Sequence, residues 1–506
     1  MIVEDQSAVA QFLADPRTWG VDRVERIDTH GAMVFLAGER AYMLKRAVRF
    51  PFMDFSTLAL REHACAAEIT VNRRTAPDLY IGTARVTREA GGFAIDGPGP
   101  TVDWLVVMRR FRQDQLLDRM AARGAVDDTL AEAVAVAVAR FHGAVDRCEG
   151  FARAADVRRL IDEVDTNMAA QPALPEAERR ALSAAAAEAF ANAAALIDAR
   201  HAAGFVRWCH GDLHMRNICV LDAGPTLFDA IEFNDSFCCT DTLYDLAFLI
   251  CDLARVELGR AASRVLNRYL EETGDWGGMP TMPLFLALRA GILAYTHAAR
   301  ADAQPEPAAA EALRASARGC LALGRRFLAP QQGRIVAIGG LSGTGKSTAA
   351  RGLAPTLGRL PGAVILRSDV LRKRLAGAAI TAPLAPEHYR PERSAAVYGE
   401  LRERALALAA SGQAVIVDAV FARAEERDGI EAAARAAGVA FAGFWLEVPP
   451  DVAAARVAAR RNDASDATVA VVEQQRHYAL GEIRWRRVDA GGGAVAVVET
   501  LRGNLG

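Results

Sequence analysis

Alternation of apolar and polar positions dominates the first hundred residues. "RVERIDTH" (23–30), "AMVFLAG" (32–38) and "RAYMLKR" (40–46) carry the period of two that sends successive side chains to opposite faces of a strand. A long helical run from Ser56 to Arg74 follows, then two further strand segments, "DLYIGTARVT" and "TVDWLVVMRRF". Together these predict a strand-rich lobe with one helix, ending near Phe111. From 112 to 328 the chain reads as mostly helical. Its main interruption runs from Phe205 to Phe233, where the strand-like pieces "NICVL" and "PTLFDAIEF" flank a loop.

"LAPQQGR" (328–334) places Pro and Gly between a helix and a new strand, which marks a boundary. Beyond it, strands "RIVAIGG", "AVILRSD", "AVIVDAV", "AFAGFWLEV" and "RWRRVDA" alternate with helical runs, the signature of a parallel sheet covered by helices on both faces. The expected fold class is therefore two-domain. An α+β bilobal domain spans 1–328, with lobes 1–111 and 112–328; a linker follows at 329–333, and an α/β domain with a parallel sheet spans 334–506.

Composition narrows the function classes. With 52% hydrophobic and 24% charged residues over 506 positions, the chain can bury large cores. Sixty basic against 62 acidic residues give a net charge of −2, so no nucleic-acid partner is expected. No basic start with an apolar core opens the chain, and no stretch approaches the roughly 18 uninterrupted apolar residues of a membrane span. A cytoplasmic protein with no membrane partner is expected. The eight cysteines form no CxxC pair, so buried thiols are expected rather than a disulfide framework or zinc ribbon.

"GGLSGTGKST" contains Gly340, four residues, then Gly345, Lys346 and Ser347, set between an apolar strand and a helical run. In such a phosphate loop the backbone of Gly340, Ser342, Gly343, Thr344 and Gly345 curls around phosphate, Lys346 bridges the terminal phosphates, and the Ser347 and Thr348 hydroxyls lie beside them. Ser347 can ligate Mg²⁺. Asp418, closing "VIVDAV", suits a metal role, and Asp369, closing "VILRSD", suits a general base for a substrate hydroxyl. Helix capping is the competing use of Asp369. Arg456, Arg460 and Arg461 are expected on one helix, with Arg456 and Arg460 four apart on a face that could close over the transferring phosphate. A solvated arginine face competes with that reading. On these residues, 333–506 resembles the small-molecule kinase branch of P-loop proteins, such as gluconate kinase, chloramphenicol phosphotransferase and zeta-toxin kinases. The resemblance implies strand order 2-3-1-4-5 and a lid.

The loop "HGDLHMRN" holds His210 and His214, but Gly211 and Asp212 break a HExxH pattern and no third metal ligand is evident. Asp212 precedes Asn217 by five positions, the spacing of a kinase catalytic loop in which Asp orients the acceptor hydroxyl and Asn reaches a metal. Asp229 stands where a second metal-binding aspartate is expected. Lys45 ends the strand "YMLK", as a phosphate-contacting lysine does. The helix 56–74 offers Glu62 or Glu68 as its partner, Glu62 on the apolar stripe and Glu68 at its edge. "LVVMRRF" would be the hinge, with backbone near Met108 facing adenine. Residues 25–325 thus resemble the aminoglycoside phosphotransferase family, with its two-lobed protein-kinase-like fold, whose spacing to "NRRTAP" favours Glu68. The whole order resembles bifunctional aminoglycoside phosphotransferase/ATP-binding proteins. The resemblance implies ATP and Mg²⁺ as cofactors at two phosphoryl-transfer sites. The acceptor is expected to be a small hydroxylated molecule, such as a sugar, amino sugar or aminoglycoside-like compound. A ligand sensor regulating the P-loop half remains an alternative.

Overall fold

The computed structural model describes residues 2–50, 52–460 and 463–505. Contacts gather the chain into two compact units, 1–157 with 197–252, and 158–196 with 253–506.

The first unit is built on six antiparallel strands, β1 (Val24–Asp28), β2 (Ala32–Ala37), β3 (Arg40–Lys45), β4 (Tyr80–Glu89), β5 (Gly92–Ile95) and β6 (Thr101–Arg109), in the order β1-β2-β3-β6-β4-β5. Helix α1 (Ser7–Ala14) packs Val9 and Leu13 on one face against Phe35, Leu44 and Leu105. Helix α2 (Leu58–Asn72), capped by the Thr57 side chain accepting from Leu60 N at 3.3 Å, packs Cys65 and Ile69 on the other face. Both faces of the central strand are therefore covered, which is why β6 reads as an unbroken apolar run: Leu105 and Val107 enter one core, Val106 and Met108 the other.

Helix α3 (Asp128–Ala144) and two short ladders complete the first unit. β7 (Val206–Trp208) pairs with β10 (Cys239–Asp241), and β8 (Ile218–Leu221) with β9 (Gly224–Leu227), so the loop 209–217 is held between ladders. The strand expected over "PTLFDAIEF" stops at Leu227, because Asp229 takes a left-handed φ of 61° that no ladder accommodates. One cysteine expectation is corrected. The ladder of β7 with β10, together with Cys148 N donating to Val206 O at 3.1 Å, brings Cys148 and Cys239 into a disulfide. The other six cysteines are buried.

The second unit carries a five-stranded parallel sheet of β11 (Arg334–Gly339), β12 (Val364–Arg367), β13 (Ala414–Asp418), β14 (Ala440–Glu447) and β15 (Arg486–Asp489), in the order β12-β13-β11-β14-β15. That is the expected 2-3-1-4-5. Strands β11, β12 and β13 are buried on both faces, so they read as continuous apolar runs, whereas the edge strand β15 is largely exposed. Helix α4 (Thr242–Arg255) ends the first unit, and helices α5 (Gly259–Thr273), α6 (Met282–Asp302) and α7 (Pro307–Leu328) precede the sheet in sequence. Sequence reading ends the first domain at 328, whereas the compact unit includes 253–328 with the sheet. The cause is visible at the edge strand: the Asn267 amide of α5 donates to Ala363 O at 3.1 Å and accepts from Ile365 N at 2.7 Å, pairing the exposed side of β12 as another strand would.

Among the described residues, two helical stretches are long and apolar enough to cross a membrane by length and composition, Glu176–Ala202 and Trp276–Asp302; the second is mostly buried within the chain.

Candidate active sites

In the first unit, Lys45 ends β3 in the interior, where an ammonium is stable only among acids. Its Nζ donates to Glu68 Oε2 at 2.5 Å and to Glu232 Oε1 at 2.6 Å. Glu62, the other candidate on α2, is exposed. Although burial pulls the other way, the two carboxylates hold Lys45 above its ordinary value. Asn72, one turn beyond Glu68, accepts from Ala230 N at 2.8 Å, and Tyr80 Oη accepts from Asp229 N at 3.1 Å. These two side chains fix the backbone turn that presents Asp229.

The acids outnumber the cation. Desolvation by the surrounding protein, then the Glu68 charge, pushes Asp229 up to about 7, although its side chain still reaches solvent. Burial likewise pushes Glu232 up to about 7 despite Lys45. The buried carboxylates of Glu68 and Glu232, with Asp229 exposed beside them, outnumber one ammonium and leave negative charge that a divalent cation would neutralise, and the oxygen donors of Asp229 and Asn217 suit a hard ion such as Mg²⁺. Asn217 Nδ2 donates to Asp212 O at 3.0 Å and to Asp212 Oδ2 at 3.3 Å, so the two loop residues meet directly. The Asp212 side chain is 40% exposed.

The loop is held from beneath by α4. Asp245, fully buried, accepts from Gly211 N at 2.8 Å and His210 N at 3.3 Å, and from His142 Nε2 at 3.0 Å. Asp252 accepts from Met215 N at 3.1 Å. His210 Nε2 reaches Phe228 O at 2.9 Å and His214 Nε2 lies 3.3 Å from Asp212, so each is engaged inside the loop rather than paired on a metal. His142, Cys209 and Asp245 approach one another closely enough for an ion, but Asp245 already serves the loop backbone and burial pushes the Cys209 thiol up. Met108, expected at the hinge, remains inside the ladder opposite Ala41 and Tyr80. The chain leaves the sheet only after Arg110 N has bonded Glu39 O at 2.9 Å.

In the second unit, the phosphate loop follows β11 and ends at helix α8 (Lys346–Leu353). Gly340 has φ +142°, and a Cβ there would lie 2.6 Å from Leu446 O; at Gly343, φ +86°, it would lie 2.5 Å from Ala453 O. Lys346 Nζ donates to Leu341 O at 3.0 Å, and burial lowers its pKa. Ser347 Oγ donates to Asp418 Oδ2 at 2.6 Å, joining the two expected metal-site residues. Thr344 turns its hydroxyl inward to Leu341 O at 2.8 Å, Ser342 N is held by Gln475 at 2.7 Å, and Thr348 is exposed on α8. Asp369, on helix α9 (Ser368–Leu375), is raised by burial above the ordinary carboxylate value.

The arginine helix differs from expectation. Helix α10 (Pro450–Ala459) ends before Arg460, whose extended ψ of 144° removes it from the face of Arg456. Arg460 nevertheless lies near enough to Lys346 to oppose its charge. Arg456 braces the loop, donating to Ala490 O at 2.9 Å and Thr344 O at 3.5 Å. Arg461 lies outside the described residues. Sequence reading also missed Arg367, which ends β12 beside Ser347 and Asp418. Its only signal was a charge at the end of an apolar strand.

A family model described as "Phosphotransferase enzyme family" matches residues 100–282, and one described as "AAA domain" matches 335–479. An uncharacterized protein of Mycobacterium tuberculosis, Rv2004c, is 30% identical over 453 residues, spanning 88% of each chain. A gluconokinase structure from Sinorhizobium meliloti is 21% identical, covering 35% of this chain and 93% of its own, with a TM-score of 0.25. A choline/ethanolamine kinase family protein from Mesorhizobium loti is 15% identical, covering 64% and 94%, with a TM-score of 0.39.

Proposed function

Since the chain belongs to the family of kinases that join a phosphotransferase-family domain to a P-loop AAA domain, we propose that it carries two separate phosphoryl-transfer sites, one in each half. The parts are the phosphotransferase-like segment 1–328, the linker 329–333 and the P-loop segment 334–506. Each site takes ATP and a small hydroxylated acceptor, a sugar, amino sugar or aminoglycoside-like molecule. The observation that carries this reading is the convergence of Lys45, Glu68, Asp229, Asn217 and Asp212 in one unit, matched in the other by Lys346, Ser347 and Asp418.

Catalysis at both sites rests on positioning and charge. In the first, Lys45, steadied by Glu68, meets the nucleotide phosphates. Asp212 accepts the hydrogen bond of the acceptor hydroxyl and aims its oxygen at the γ-phosphate. Backbone just beyond Met108 faces adenine. Asn217 and Asp229 would hold Mg²⁺ here, and Ser347 and Asp418 in the second site; when bound, the ion neutralises charge on the phosphates. In the second site Lys346 and the loop amides bind phosphate, and Arg456 and Arg460 add positive charge. Asp369, raised by burial, is a stronger base than an ordinary carboxylate and suited to take a proton from the acceptor hydroxyl.

The test is ADP release and acceptor mass over a panel of sugars, amino sugars, aminoglycosides and nucleosides, comparing wild type with Asp212→Ala and Lys346→Ala. Two acceptors, each lost in a different variant, uphold the tandem reading. One observation favours a second reading: Lys45 is held by Glu232 as well as Glu68, so its ammonium is fully engaged before any phosphate arrives. In a sensor, that grip would persist with ligand bound, and Asp212→Ala would leave all turnover intact.

A further inference from the structure

Arg367 is a buried cation set against the two atoms expected to hold the metal of the P-loop site. Its side chain is 2% exposed; Nη2 lies 3.3 Å from Ser347 Oγ, and Nε lies 3.4 Å from Asp418 Oδ2. A guanidinium there and a divalent ion compete for one carboxylate, since each is attracted by the same charge and each repels the other. Two other carboxylates draw Arg367 away from Asp418: Asp463 accepts from Nη2 at 3.0 Å, and Glu271 Oε1 stands 3.5 Å from Nη1. Neither Nε nor Nη1 has a well-formed hydrogen bond, so the guanidinium is shared among charges rather than locked onto one of them.

Glu271 comes from α5, a helix that precedes the P-loop by some seventy positions, and its side chain is 5% exposed. Its place is fixed from both sides. Asn267, one turn earlier on α5, bonds Ala363 O and Ile365 N on the strand that carries Arg367. Arg374 of α9 caps the end of α5 by donating to Glu271 O at 3.3 Å, Glu272 O at 2.9 Å and Thr273 O at 2.6 Å. The helix that bears Asp369 and the helix that bears Glu271 are thus fastened end to end.

We propose that Glu271 is a positioning residue of the P-loop phosphoryl-transfer site, holding the Arg367 guanidinium off Asp418 so that a divalent cation can enter beside Ser347. The proposal rests on the reading of 340–348 as a nucleotide site. By this account the P-loop segment is incomplete without α5.

The experiment titrates Mg²⁺ into the full chain with a fluorescent ATP analogue and follows the Mg²⁺-dependent binding that Lys346→Ala removes. If Lys346→Ala removes none, the nucleotide reading of the P-loop fails, independently of Glu271. Given that signal, Glu271→Gln should raise the half-saturating Mg²⁺ about tenfold, the equivalent of 1.4 kcal/mol. Glu271→Asp, which keeps the charge but withdraws it by one methylene, should fall between. In an Arg367→Gln background, Glu271→Gln should produce no further rise. An unchanged half-saturation in Glu271→Gln overturns the proposal, as does a rise that persists without Arg367, because Glu271 would then act by another route. Should Glu271→Gln fail to give a cooperative melt, Glu271→Asp decides: a wild-type Mg²⁺ requirement in that variant also overturns it.

Discussion

On the proposed reading, the two sites would hold phosphate and metal in opposite ways. The first gathers residues from distant parts of the chain, Lys45 and Glu232 being 187 positions apart, and its buried charge is predominantly negative. The second is mostly a contiguous loop, 340–348, and a buried cation, Arg367, already leans on its metal-site carboxylate. An incoming metal ion relieves repulsion in the first site and must displace an attraction in the second. Opposite electrostatic starting points imply different dependences on pH and on divalent ions.

The largest effects should come from removing the group that touches the reacting atoms in each site. Asp212→Ala and Lys346→Ala should each lower turnover of their own acceptor by about 10³-fold while sparing the other. Loss of both activities in either single variant, measured by ADP release with the purified acceptors, would dissolve the contrast between two independent sites. Lys45→Ala is a poorer probe, because it leaves buried carboxylates unpaired at a cost of about 3–5 kcal/mol and confounds chemistry with folding.

Next in size is a structural asymmetry. The first site depends on tertiary pins, so Asn72→Ala, which strips a buried partner from Ala230 N and from Glu68 O, should cost about 1–3 kcal/mol. Denaturant unfolding measures that loss directly. A change within the error of the melt would mean that Asp229 is placed by something other than the Asn72 bridge.

What the sequence made legible follows the same divide. The phosphate loop with its strand and helix could be read because local backbone chemistry encodes them, glycines at forced φ and an apolar run buried on both faces, whereas the sheet order was implied by the resemblance to P-loop kinases. Spacing singled out Asp212, Asn217 and Asp229, and Asn217 does meet Asp212. Glu232 was visible only as one acid among several, since nothing local says that it reaches Lys45. Arg367 and Glu271 were hidden for the same reason, because a buried ion pair across elements leaves no periodic trace. The boundary at 329–333 was read from Pro and Gly, which mark a turn in the chain but carry no information about which helices Asn267 and its neighbours pack against. The arginine helix failed at its end, where i, i+4 spacing was extended one residue past the final turn.

The charge contrast can be sharpened by pH. A carboxylate whose folded value is raised favours the folded state when protonated; that contribution is present below its unfolded value, near 4. It is lost as pH rises through the folded value, which is about 7 for Asp229 and Glu232. Without ligand, hydrogen exchange around 228–232 should therefore accelerate between pH 5 and 8 beyond the intrinsic chemical rate. Asp229→Asn should flatten that excess, and Mg²⁺ with ATP should suppress it in the wild type. An excess equal in wild type and variant would show that the acidic cluster is not the source.

The smallest expected effect separates two adjacent hydroxyls on α8. Ser347 Oγ lies 2.6 Å from Asp418, whereas Thr348 points outward and is exposed. Ser347→Ala should lower kcat/KM for the Lys346-dependent acceptor by about 100-fold, because it removes an oxygen from the metal site. Thr348→Ala should change it by less than about fivefold, since the backbone N–H that a helix N-terminus offers to phosphate survives the substitution. Steady-state kinetics at saturating Mg²⁺ distinguishes the two. Equal losses would mean that both hydroxyls serve the phosphates. In that case the second site would draw its charge stabilisation from the whole first turn of α8 rather than from the Ser347–Asp418 pair that Arg367 now contests.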